Sequence, residues 1–99
     1  MEYTRASNSG FTIYSKSGCV QCSKVKILLH DNKLDFTVVD CDEYILEDKP
    51  SFLLFMNNMA NRDVKVFPMI FYNGAFIGGY PETREQVDKL MCFDDNAFF

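Results

Sequence analysis

Between Phe11 and Cys41 the apolar pattern changes period twice, and this limits the folds open to the chain more than any other feature. FTIYS, Phe11 to Ser15, is short and rich in β-formers; a glycine-containing turn follows at once, and then an apolar spacing of helical period runs to about His30. DFTVVDC, Asp35 to Cys41, reads as a second strand, its continuous apolar centre suited to burial on both faces. Two strands so close around one helix imply a parallel βαβ unit. Beyond it, a helix is expected from about Tyr44 to Ala60, with Pro50 at or near the first turn of its main portion. VFPMIFYNGAFIGG supplies two strands around the turn Asn73-Gly74. A last helix over PETREQVDKLMC brings Val87, Leu90 and Met91 to one face, with Thr83 to Gln86 as its capping box. The expected class is α/β: a four-stranded mixed sheet with helices on both faces.

At 99 residues the chain is of single-domain size, and 47% hydrophobic content with ten Phe is enough for a core without cross-links. Residues 1–9 lack periodicity and are expected to form a flexible tail, leaving 10–99 as the domain. The net charge is −4, with Lys and Arg scattered among Asp and Glu. No basic stripe tracks a phosphate backbone, so no nucleic-acid partner is expected. MEYTRASNSG lacks the order of a signal peptide, and no apolar run approaches the roughly 20 residues of a membrane span. A soluble, cytoplasmic protein is expected, in a compartment where paired cysteines are more often catalytic or metal-binding than structural.

SKSGCVQCSKVKILL places Cys19 and Cys22 where the first helical pattern begins. A thiol after a tight turn lies beside the first free N–H groups of the helix. Such a terminus carries about half a positive charge, and Lys16 adds another nearby; both favour the thiolate, lowering a pKa ordinarily about 8.5. Cys22 returns to the same side of the first turn and shares a face with Val25 and Leu29, so it is expected to be the more buried thiol. A structural disulfide over this short span would restrain little of the unfolded chain. Zinc would need more ligands, and Cys41, Cys92 and His30 are single residues rather than a second pair, so no metal is expected. A CxxC after a strand and opening a helix is instead the expected setting of a redox pair.

Over about residues 11 to 92 the chain resembles the glutaredoxins within the thioredoxin fold. CVQC stands at the active-site position, VFP matches the Thr-Val-Pro segment with its cis proline, and IGG with Tyr80 matches the glycine pair on the glutathione side. The resemblance implies dithiol–disulfide exchange with glutathione as co-substrate and no bound cofactor. Cys19 would attack a protein disulfide or glutathione mixed disulfide, and Cys22 would resolve protein-linked intermediates. It further implies a glutathione site built from Lys16, Gln21, Lys65, Phe67, Pro68, Gly79, Tyr80 and Glu82. The Phe67 backbone would pair with the ligand like an added strand. Lys16 and Lys65 would stand near the glycyl carboxylate, and the N-terminus of the last helix would receive the γ-glutamyl carboxylate. From the residues alone Pro68 would be trans, since only about 5 to 6% of X–Pro bonds are cis; the resemblance implies cis. Gly78 and Gly79 permit unusual dihedrals and close approach of a ligand, or simply make a turn. The partners implied are glutathione and disulfide-containing or glutathionylated proteins, with the chain a monomer.

Val20 and Gln21 replace the Pro-Tyr of the common CPYC. CVQC is similar to NrdH-type redoxins, which take electrons from thioredoxin reductase and supply ribonucleotide reductase. Pro81 and Glu82 stand where glutaredoxins commonly show Ser-Asp, and a proline offers no N–H to a carboxylate. A third alternative is an iron–sulfur-binding relative, for which a small residue after the nucleophile or loss of the second cysteine would be the sign; Val20 and Cys22 speak against it. Cys41 is read as a core residue and Cys92 as packed near the end of its helix, with His30 favouring a helix dipole. The aromatic segments SFLLFMNNM and CFDDNAFF are read as core and tail.

Overall fold

The computed structural model describes residues 2–96, with side chains through residue 91, so the expectations for Cys92 and CFDDNAFF fall outside the described side chains. The elements run β1 (Phe11–Ser15), α1 (Val20–Asp31), β2 (Phe36–Asp40), α2 (Asp42–Ala60), β3 (Met69–Tyr72), β4 (Ala75–Gly78) and α3 (Tyr80–Asn96). The sheet order is β2-β1-β3-β4, with β1 parallel to β2 and antiparallel to β3, and β3 antiparallel to β4. This is the thioredoxin-like mixed sheet.

Strand alternation divides the core between the two faces. Phe11, Ile13 and Ile70 pack with Val25 and Leu29 of α1 and Val87 of α3. Tyr14, Met69 and Phe71 pack with Phe52 and Met56 of α2. Helices therefore cover both sides. The expected burial of β2 on both faces is corrected: it lies at the sheet edge, only Val39 is buried, and Val38 is exposed.

Helix α2 bends at Asp48, whose backbone is non-helical (φ −161°, ψ 80°). The Asp48 carboxylate accepts from the Ser51 N–H at 3.2 Å and the Ser51 hydroxyl at 2.8 Å, a new N-cap two residues before Pro50. Pro50 thus falls in the first turn of the main helical portion, where a missing N–H costs nothing. The β3–β4 turn has positive φ at both Asn73 (51°) and Gly74 (88°), the conformation that Asn-Gly supplies most readily.

Residues 2–9 contain no regular element, yet they contact the α2 face extensively. The Tyr3 ring lies 5.0 to 5.5 Å from those of Tyr44, Phe52 and Phe55. The buried Tyr14 hydroxyl donates to the Thr4 carbonyl at 2.5 Å, and Ser7 N–H donates to Thr12 Oγ1 at 3.0 Å. These bonds satisfy polar groups that the sheet face would otherwise bury unpaired.

Candidate active site

Cys19 is the N-cap of α1, reached through Gly18 at φ +74°. The Cys22 N–H donates to Cys19 Sγ at 3.1 Å, so a free amide of the helix terminus points at the sulfur. The two Cα atoms are 5.2 Å apart and the pair is joined as a disulfide. Cys22 is 1% exposed and belongs to the core cluster that includes Phe67, whereas Cys19 is partly accessible. The asymmetry expected from helix periodicity is therefore present. Cys41, the third cysteine with a described side chain, is buried beneath α2, and burial pushes its thiol up to about 12, leaving it protonated and inert.

The loop ahead of Cys19 is tied down from the opposite element. The Asp42 carboxylate, at the start of α2, accepts from both the N–H and the hydroxyl of Ser17, the former at 2.9 Å. These bonds hold Asp42 below the usual carboxylate range. The Lys16 ammonium lies 5.7 Å from the centre of the Phe67 ring, close enough for a cation–π contact.

An open cleft of about 450 Å³ gathers most of the expected ligand residues. Gln21 of α1, Lys65, Phe67 and Pro68 of the loop before β3, and Gly79, Tyr80 and Glu82 at the start of α3 all line it. Lys16 does not; it lines a neighbouring hollow with Cys19 and Cys22. The Phe67–Pro68 bond is cis, as the resemblance implied and the residues alone did not. Val66, 78% exposed, and Val20, 69% exposed, present aliphatic side chains around the same region.

Pro81, read from the sequence as a position with no N–H for a ligand carboxylate, lines the cleft, as do Asp63, Val64 and Phe76, which sequence reasoning did not single out as part of a binding surface. For Asp63 a signal existed: it stands two residues before Lys65, and in extended chain such residues face the same side. Its carboxylate pairs with Lys65 Nζ at 3.5 Å. Asn57 of α2 positions this loop, accepting from Val64 N–H at 2.7 Å through Oδ1 and donating from Nδ2 to Asp63 at 3.3 Å.

The cap of α3 differs from the expected one. The helix begins at Tyr80, placing Thr83 inside it and fully buried, its hydroxyl donating back to the Gly79 carbonyl at 2.8 Å. The capping side chain is Glu82, which accepts from Gly79 N–H at 2.8 Å, half of a capping box displaced from the one expected at Thr83 to Gln86. Gly78 sits at φ +128°, a conformation that side chains rarely adopt, and a Cβ there would lie 2.6 Å from Glu82 Oε1, so the Glu82 side chain would have to shift. The close approach at the first glycine of the pair is thus to the protein's own carboxylate.

A family model described as Glutaredoxin matches residues 11–77, a span that contains the cysteine pair, the cis proline and most of the hairpin. The chain belongs to the glutaredoxin family. It is 36% identical over 78 residues to the mitochondrial glutaredoxin-2 of Bos taurus, covering 79% of this chain and 47% of that one. The chain thus spans about half the length of the mitochondrial relatives it matches. Among solved structures, glutaredoxin 1 of Francisella tularensis superposes with a TM-score of 0.70 at 26% identity, over 82% of this chain and 94% of that one. A dithiolic glutaredoxin of Trypanosoma brucei brucei gives 0.61 at 27% identity, over 86% and 82%. The Cys19–Cys22 disulfide fits the dithiol CxxC motif of this oxidoreductase family. Among the described residues no helix is long and apolar enough to cross a membrane.

Proposed function

We propose that this glutaredoxin uses glutathione to reduce protein disulfides and glutathione mixed disulfides. The Cys19 thiolate attacks one sulfur of the substrate disulfide, forming a mixed disulfide and expelling the other sulfur as a thiolate. Where the mixed disulfide is with a protein, Cys22 attacks Cys19 Sγ, releasing the reduced protein and leaving the Cys19–Cys22 disulfide. Two glutathione molecules then reduce that bond in successive exchanges, ending as glutathione disulfide.

The observation that carries this reading is the convergence of Gln21, Lys65, Phe67, Gly79 and Tyr80, drawn from three separate segments, on one cleft flanked by the helix that bears the cysteines. Chain distance gives no reason for them to meet. A backbone edge at Phe67, a cation at Lys65 and a helix terminus after Gly79 suit a short peptide carrying a thiol and carboxylates.

One observation favours the second reading, electron supply from thioredoxin reductase: the Gly79 N–H is already engaged by Glu82, and Pro81 has none to offer. An assay of the reduced protein with glutathione, glutathione reductase and a glutathione mixed disulfide decides between them. Steady NADPH consumption is expected. No turnover there, together with turnover through thioredoxin reductase, would replace the first reading by the second.

A further inference from the structure

The acid at the start of α2 is spent on a neighbouring loop rather than on its own helix. A carboxylate in a first helical turn has the free N–H groups of that helix within reach. Asp42 leaves this task to Asp40, whose Oδ1 accepts from the Asp42 N–H at 3.0 Å, and the N-cap Cys41 makes no side-chain capping bond. Both Asp42 oxygens turn to Ser17 instead, Oδ1 accepting from its N–H at 2.9 Å and Oδ2 from its hydroxyl. Among the described residues no other hydrogen bond outside the regular elements holds residues 16–18. Packing does not brace this turn either: a Cβ on Gly18, at φ +74°, would meet nothing within 4 Å.

Ser17 stands between two groups on which the thiol depends. On one side the Lys16 ammonium lies 5.7 Å from the centre of the Phe67 ring, and on the other Gly18 turns the chain into Cys19. Lys16 and Lys26 are the charged residues lining the hollow that holds Cys19, while Asp40 and Asp42 line adjoining ones. We propose that Asp42 is a positioning residue for the nucleophile: through Ser17 it fixes the turn that delivers Cys19 Sγ to the Cys22 N–H and keeps the Lys16 ammonium beside the same hollow. The help an amide or an ammonium gives an anion depends on distance and direction, so a loop left to wander would average it away. The charge of Asp42 works the other way, since one anion near a thiol disfavours a second. Its geometry and its charge therefore have opposite effects on Cys19, and a pair of substitutions separates them.

Asp42→Asn and Asp42→Ala remove the same charge, but only Asn keeps an oxygen for the Ser17 N–H and a polar group facing the Ser17 hydroxyl. Each is made in the Cys22→Ser background and treated with iodoacetamide across a pH series. Alkylation is followed on the Cys19 peptide by mass spectrometry, which keeps the other cysteines out of the reading. Iodoacetamide is uncharged and needs no cleft, so the result does not depend on which thiol reduces the pair. The Asn variant should react with its pH midpoint at or below that of the parent. The Ala variant should have a midpoint about 0.5 to 1 higher than the Asn variant, and so react about threefold to tenfold more slowly at any pH below both midpoints.

Equal midpoints in the two variants, or a lower one in the Ala variant, would overturn the proposal while leaving the reduction of disulfides through Cys19 untouched. Thermal melts of the same proteins supply the control. A loss of stability in the Ala variant with no difference in midpoint would make Asp42 a brace of the fold alone, which would equally overturn it.

Discussion

The Cys22 N–H donates to Cys19 Sγ at 3.1 Å, while the Cys22 side chain is itself 1% exposed. One residue thus supplies the dipole that favours its neighbour's anion and keeps its own sulfur out of solvent. With the pair reduced, Cys19 should titrate below the value of about 8.5 for free cysteine, followed by thiolate absorbance near the ultraviolet edge. Cys19→Ser should abolish exchange. Cys22→Ser should retain activity on glutathione mixed disulfides and lose most dithiol reduction of proteins. Full activity in the Cys19→Ser protein, or ordinary titration of Cys19, would refute this assignment of roles.

Asn57 carries no reactive group, but its amide holds Val64 and Asp63 in place at the cleft wall. Asn57→Ala should leave the Val64 N–H without its partner at a cost of about 1 to 2 kcal/mol in stability. Because the loop and not the thiol is disturbed, KM for the glutathione mixed disulfide should rise severalfold with little change in kcat. A fall in kcat alone would show that Asn57 acts on the cysteines instead.

The Ser17 bonds that lower the Asp42 pKa have a definite pH signature. A carboxylate with a folded pKa below its unfolded value of 3.8 contributes stability above that value and loses it as pH falls through the folded one. The gap in Tm between the parent protein and Asp42→Asn should therefore be widest above about pH 5 and narrow steadily in stronger acid. Thermal melts at a series of pH values check this; a gap that widened in acid would have the wrong sign.

Cys41 predicts the opposite trend at the alkaline end. Burial is the main reason its thiol is pushed from 9.0 to about 12, so the unfolded chain gives up that proton before the folded one does. Its contribution is complete below pH 9 and fades as pH rises through the window up to about 12. Cys41→Ala should make stability less dependent on pH in that range. At pH 8, iodoacetamide should modify reduced Cys19 and leave Cys41 intact, as peptide mass spectrometry would show.

The sheet and its helices were legible because Phe11 to Ser15, the Asn73-Gly74 turn and the Cys22-Val25-Leu29 face each carry a local signature that tertiary packing reinforces. Strand β2 misled because apolar content says nothing about position in a sheet: FTVVD lies at the edge, where Val38 is uncovered. At α3 two capping patterns compete four residues apart, and Gly79 with Glu82 prevailed over Thr83 with Gln86, whose threonine is needed inside the packed interface. In the cleft, residues defined by one segment were found, whereas Asn57 and Asp63 matter through contacts that only the folded loop creates. The Phe67–Pro68 isomer followed from the family likeness alone.

Tyr3 meets Phe52 edge-on at 5.5 Å, Phe52 stacks on Phe67 at 6.3 Å, and Lys16 rests over Phe67. Anything spliced onto the start of the chain therefore lies only two aromatic contacts from a wall of the cleft. For work on this protein, a purification handle placed there is an experimental variable in its own right, and kinetic constants from tagged and cleaved preparations belong in separate columns.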